Sequence, residues 1–248
     1  EIIYNSSVSI GAPYYNFAFN LLMAPIILLM AFAPQIKWGE HKRKNNQTFY
    51  IIAISIAITA IVYYLLGNIF FALSVFITMP LFIKSFLVFF KKVSKDRSFF
   101  AQWLAHLSIG LFIVAAVYTE QFDYEKNITF EKGDNNKIVL DEDTFLLLEN
   151  IKDTDLSNHQ KISVDLIVME NNLKYSLSPS KNIYQPSGQV TNEVSTVNKY
   201  FDQYYATISM IESDKVSINL VYKPFINLLW ISSILLVFSI FLSIMKRK

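Results

Sequence analysis

The chain has 248 residues, of which 53% are apolar and only 17% charged, with no cysteine and a formal charge of +2. A soluble domain carries nearer a quarter of charged residues, so water is not the main solvent of this chain. The lack of cysteine excludes a disulfide, a thiolate metal site and a cysteine nucleophile, and no basic patch marks a nucleic-acid partner.

The chain opens at Glu1 without a basic n-region, a short apolar stretch and an A-x-A site, so no signal peptide is read. It reads as a fragment or a cleaved piece. Five stretches, residues 14–36, 49–66, 69–90, 99–119 and 224–245, are apolar over the roughly 20 residues that a helix needs to cross about 30 Å of hydrocarbon. Only Gly67 and Asn68 separate the second from the third. One continuous helix would overshoot any bilayer, so the pair predicts a helical hairpin turning at Gly-Asn. Pro25 and Pro80 lie inside spans, where neighbouring helices can satisfy the freed carbonyls, and Pro224 opens the last span, where a missing N–H costs nothing.

Lys37, Lys42, Arg43 and Lys44 fall between spans one and two, Lys91, Lys92, Lys95 and Arg97 between three and four, and Lys246, Arg247 and Lys248 after five. Lysine and arginine accumulate on the cytoplasmic side, so these three sites share that face and the N-terminus lies opposite. Lys84 is expected to snorkel to the same face.

Residues 121–223 differ in kind. They hold sixteen Asp and Glu against ten Lys, a net charge of −6. Short apolar runs at 126–130, 137–140, 144–150, 162–170, 173–178, 204–211 and 216–222 predict strands, with Gly133-Asp134-Asn135-Asn136 and Asn171-Asn172 as hairpin turns. Residues 182–201 read as a long connection. The expected fold class is therefore a membrane α-helical protein of five transmembrane helices with an inserted extracytoplasmic all-β domain, a barrel or a sandwich. Its parts are residues 1–120 (four helices and an outer N-terminal segment), 121–223 (the β domain) and 224–248 (the fifth helix and a basic tail).

Of three histidines only His106 is inside a span. An ionisable side chain there is costly and usually faces a partner, a cavity or a cofactor, and a neutral imidazole is a standard axial ligand of haem iron. Trp103 at i−3 and Gly110 at i+4 share its face, offering a flat aromatic neighbour and a bare position where a macrocycle or another helix can approach. A structural histidine in an interhelical hydrogen bond fits the same pattern, and these residues alone do not separate the two. His41 and His159 read as solvated surface residues. Asn16 and Asn20 read as helix-packing residues, and Tyr14-Tyr15 and Tyr63-Tyr64 as an interfacial belt. The carboxylates of 121–223 lack metal-ligand spacing, and no phosphate loop, G-x-S-x-G elbow or H-E-x-x-H helix is present.

Three elements carry a resemblance to a known family: Val8-Ser9-Ile10-Gly11-Ala12-Pro13-Tyr14-Tyr15-Asn16 before a span, Trp103-Leu104-Ala105-His106-Leu107 within another, and Tyr222-Lys223-Pro224 before the last. Thr191-Asn192-Glu193 and Asp202-Gln203-Tyr204 match its outer-domain elements loosely. In order, spacing and topology the chain resembles the C-terminal part of the cytochrome c maturation proteins of the CcmF/NrfE family. That resemblance implies a membrane haem lyase in a bacterial or mitochondrial inner membrane, with the β domain on the periplasmic or intermembrane side. It implies that His106 is an axial ligand of a haem b, and that the partners are the N-terminal portion of the same lyase, the haem chaperone CcmE, a CcmH-type apocytochrome carrier, apocytochrome c and the lipid bilayer. The family's second membrane histidine, its outer-loop histidines and its tryptophan-rich segment would precede Glu1, and Asn192 departs from a pattern that more often has threonine there. Two other readings are a non-catalytic assembly module and a transporter of haem or a proton.

Overall fold

The structure, a computed structural model, describes residues 21–30, 46–91, 97–131, 137–141, 143–212 and 215–245. The element at 8–16, Asn16, Asn20, the basic loop with His41, residues 92–96, the turn at Gly133 to Asn136 and the tail after Met245 lie outside the described residues.

The described residues contain the helices α1 (Leu21–Met30), α2 (Asn46–Leu66), α3 (Ile69–Lys91), α4 (Arg97–Phe122) and α5 (Ile226–Ile244). Four of them, α2 to α5, are long and apolar enough to cross a bilayer, which makes this a multi-pass membrane protein. The first expected crossing, residues 14–36, is described only over the ten residues of α1. The hairpin between α2 and α3 turns where expected. Gly67 takes φ +66 and donates its amide to Tyr63 O at 2.8 Å, closing α2 with a left-handed residue. Asn68 then caps α3, its Oδ1 accepting the Phe71 amide at 2.9 Å. Buried hydroxyls in the spans donate to carbonyls of their own helix, Ser55 to Ile51, Thr78 to Ser74 and Ser108 to Leu104, so they need no water.

A second compact unit, Tyr118–Leu229, holds ten antiparallel strands. They are β1 (Tyr124–Glu131), β2 (Lys137–Asp141), β3 (Thr144–Asp155), β4 (His159–Glu170), β5 (Leu173–Leu177), β6 (Ser180–Tyr184), β7 (Val190–Glu193), β8 (Ser195–Lys199), β9 (Asp202–Ile211) and β10 (Lys215–Lys223). One sheet runs β1-β10-β9-β8; the other runs β2-β3-β4-β6-β7, with β5 also on β4. Their inner faces share one core, in which Phe130, Ile208, Ile218 and Leu220 of the first sheet join Leu140, Leu146, Val164, Leu166 and Val168 of the second. Asn171 and Asn172 make the two-residue β4–β5 turn, both at positive φ. The stretch read as a long connection is instead three strands. β6, β7 and β8 are short and polar, with no clean apolar alternation, and form because β4 and β9 offer them ladder partners.

Candidate functional site

His106 lies on α4, and two contacts set α4 against α3. The Phe89 and Trp103 rings stack with centroids 4.6 Å apart, and the Phe82 ring covers Gly110, where an added Cβ would come within 2.8 Å of its Cζ. Seven residues along α3 thus match seven back along α4, as antiparallel helices require. His106 falls between the two contact levels, about 4.5 Å along the axis from Trp103 and about 6 Å from Gly110.

The imidazole is half-buried, and its Nδ1 is 2.7 Å from the Gln102 carbonyl oxygen, one turn back on the same helix. A carbonyl only accepts, so Nδ1 carries the proton and the neutral ring presents its lone pair at Nε2. A backbone carbonyl on one nitrogen with the other left as a base is the arrangement that histidine ligands of metals use. Among the described residues His106 makes no interhelical hydrogen bond. Trp103 packs on Phe89 and Phe100, and its buried Nε1 donor has no hydrogen-bond partner among the described residues. The close approach expected at Gly110 is made by α3, through Phe82. Lys84, expected to snorkel, is instead buried on α3 between the two contact levels, at 7% exposure.

The other histidines stand apart. His41 lies outside the described residues. His159, read as a solvated surface residue, begins β4, its Nδ1 bonded to Asn158 Oδ1 at 2.7 Å and its ring tilted on Tyr184. Among the described residues no cluster of three His, Asp or Glu could hold a metal ion.

Within the unit Tyr118–Leu229 a polar network joins the strands to the ends of two helices. Asp202 accepts the Phe225 amide at 3.0 Å and the Tyr222 hydroxyl at 2.7 Å. Tyr204, almost fully buried, donates to Glu170 at 3.1 Å, and Glu170 also pairs with Lys199 at 2.7 Å. Lys223 pairs with Asp123 at 2.8 Å. Burial holds the Tyr124, Tyr204 and Tyr222 phenols above the usual range, with Asp202 adding to the effect at Tyr222. The elements at Asp202 and Tyr222, read only as family marks, are therefore built into the junction with α5. Sequence reasoning missed Asn227 and Thr119 at the same junction, since an ordinary Asn and Thr near helix ends carry no signal of partners 25 and 105 residues away.

Helices able to span a bilayer, with a two-sheet β unit between the last two, define a polytopic membrane protein with an inserted β domain. No protein-family model matches the chain. It is similar over 98% of its length to the cytochrome c-type biogenesis protein CcmF of Haemophilus influenzae, at 24% identity. CcmF of Escherichia coli matches at 21% over 93% of the chain, and CycK of Rhizobium meliloti at 23% over 93%. The chain spans 40%, 37% and 37% of these relatives' lengths, so it corresponds to a part of them. A solved structure, cytochrome c heme lyase CcmF, shares the fold with a TM-score of 0.79 at 13% identity, covering 95% of this chain and 41% of that one. The resemblance to the C-terminal part of CcmF read from the motifs is borne out.

Proposed function

We propose that the chain is the C-terminal portion of a membrane haem lyase for cytochrome c maturation, in which His106 is an axial ligand of a b-type haem. The observation that carries this reading is the His106 hydrogen bond. With Nδ1–H held by the Gln102 carbonyl, the ring cannot easily turn, and a basic Nε2 remains on a membrane helix. The similarity to CcmF over 98% of the chain supports the setting.

A haem held there would supply a one-electron carrier whose potential is set by its imidazole ligand and by burial. The chain's own residues do the holding. His106 provides the ligand atom, and the Trp103–Phe89 stack and the Phe82–Gly110 contact fix α4 beside α3 on either side of it. The second ligand, and the residues that receive haem from a CcmE-type chaperone and an apocytochrome c from a CcmH-type carrier, are assigned to the rest of the lyase. The basic loops are placed on the cytoplasmic side of an inner membrane and the acidic β domain opposite. Labelling of Ser157→Cys only from the non-cytoplasmic side tests that placement.

The deciding experiment is a reduced-minus-oxidised spectrum of the chain purified with its associated subunits. The expected result is a b-type spectrum that His106→Ala depletes while membrane insertion and association persist. Full haem content in a stable His106→Ala protein would refute the ligand assignment and favour a non-catalytic assembly module.

A further inference from the structure

The β8–β9 hairpin turns on two residues between the paired Lys199 and Asp202. Such turns are ordinarily built from Gly, Asn or Asp, because one or both positions need positive φ. Here the residues are Tyr200 and Phe201, and Tyr200 takes φ +50. A bulky aromatic enters the left-handed region at an energetic cost. Side-chain packing in the domain returns little of it: Tyr200 is 85% exposed, and Phe201, tilted on the Phe225 ring at 6.2 Å, is still 48% exposed. A local rule broken with two aromatic side chains left largely unpacked points to an environment outside the domain.

The turn's attachments identify that environment. The Asn227 amide donates to Phe201 O at 3.0 Å, and its side-chain amide donates to Tyr200 O at 3.0 Å and Asp202 O at 3.3 Å. The Phe225 amide donates to Asp202 Oδ1 at 3.0 Å. Two N–H groups at the start of α5, which helix geometry leaves unmatched, are thus satisfied by this turn and its flanking aspartate. The turn is held at the level where a bilayer-spanning helix begins. Four residues past its start, α5 carries Trp230, 61% exposed, followed by exposed Ile231, Ile234, Val237 and Phe238. Tyrosine and tryptophan concentrate at that depth because their rings are apolar on one side and polar at the tip.

We propose that the Tyr200-Phe201 turn is seated in the phospholipid headgroup layer beside α5, so that the β domain is anchored to the bilayer by its own aromatic foot as well as by its two helices. The occupant of this surface is lipid. The backbone strain at Tyr200 is the cost of pointing two aromatics out of a tight turn into that layer.

The chain lacks cysteine, so Tyr200→Cys and, separately, Phe201→Cys each give one site for a nitroxide label in the complete protein with its associated subunits in lipid nanodiscs. Phe201→Cys leaves the strained residue in place and covers the case in which Tyr200→Cys folds poorly. Oxygen, which partitions into lipid, and a water-soluble nickel chelate then compete to relax the label. The expected result at 200 and 201 is stronger relaxation by oxygen than by nickel, with the opposite order for Ser157→Cys at the β3–β4 tip. Nickel access at 200 and 201 equal to that at 157 would overturn the proposal. So would shielding from both reagents, which would mean that protein rather than lipid covers the turn. The inference is independent of haem at His106.

Discussion

Thr119 Oγ1 donates a 2.7 Å hydrogen bond to the Pro224 carbonyl oxygen, tying the last turn of α4 to a residue two positions before α5 across 105 positions of sequence. Thr119 is 6% exposed. Thr119→Val keeps the side-chain shape and removes the donor, leaving the carbonyl buried without its partner. The expected loss is about 1–3 kcal/mol, read as a lowered denaturation midpoint for the segment Tyr118–Leu229 expressed alone. That segment has its own core and should fold as a β-rich unit. Unchanged stability in Thr119→Val would mean that water replaces the hydroxyl there.

The buried phenols give that segment a signature at high pH. Tyr124, Tyr204 and Tyr222 all have pKa values raised by burial. A raised phenol favours the neutral folded form, so its stabilising effect is complete below the unfolded value near 10 and is lost as pH rises above it. Titration of phenolate absorbance should therefore show these three ionising only as the fold is lost. Ionisation of all tyrosines in one step near pH 10, with the circular dichroism unchanged, would contradict the burial.

Gly110 is set by what α3 places on it. Gly110→Leu would drive a side chain into the Phe82 ring, and overpacking of this kind costs about 1–3 kcal/mol. Phe82→Ala in the same protein should recover part of that loss, because the space it vacates lies over position 110. Thermal stability in detergent measures the cycle. Full additivity of the two changes would mean that the helices do not meet at this pair.

Imidazole rescue separates a ligand from a packing residue at His106. His106→Gly should lose haem and cytochrome c maturation together and regain part of both with added imidazole, which can enter the cavity left by the side chain. A residue that only bonds Gln102 in its own helix gives free imidazole nothing to restore, and loss of a membrane hydrogen bond is typically about 0.6 kcal/mol. His159→Ala should behave as the unmodified protein.

Four spanning helices, the Gly67-Asn68 hairpin, the Asn171-Asn172 turn and most strands of the β unit were readable from the chain alone. Each depends on local properties: a long run of apolar residues, an asparagine that accepts positive φ, or a short apolar run bounded by turn residues. The Nδ1 partner of His106 was also within local reach, since Gln102 is one helical turn away. Tertiary structure decided the rest. β6 to β8 needed β4 and β9 as ladder partners, Gly110 needed the register that brings Phe82 over it, and Lys84 needed α3 packed among its neighbours before it could be buried rather than extended. Tyr200 and Phe201 fill a turn that their own preferences argue against, and only the hydrogen bonds to Asn227 reveal where that turn is held. Local preference acts through the few bonds around each residue, whereas these features depend on partners, such as Asn227 for Tyr200 and Phe82 for Gly110, that are met only when the chain has closed on itself.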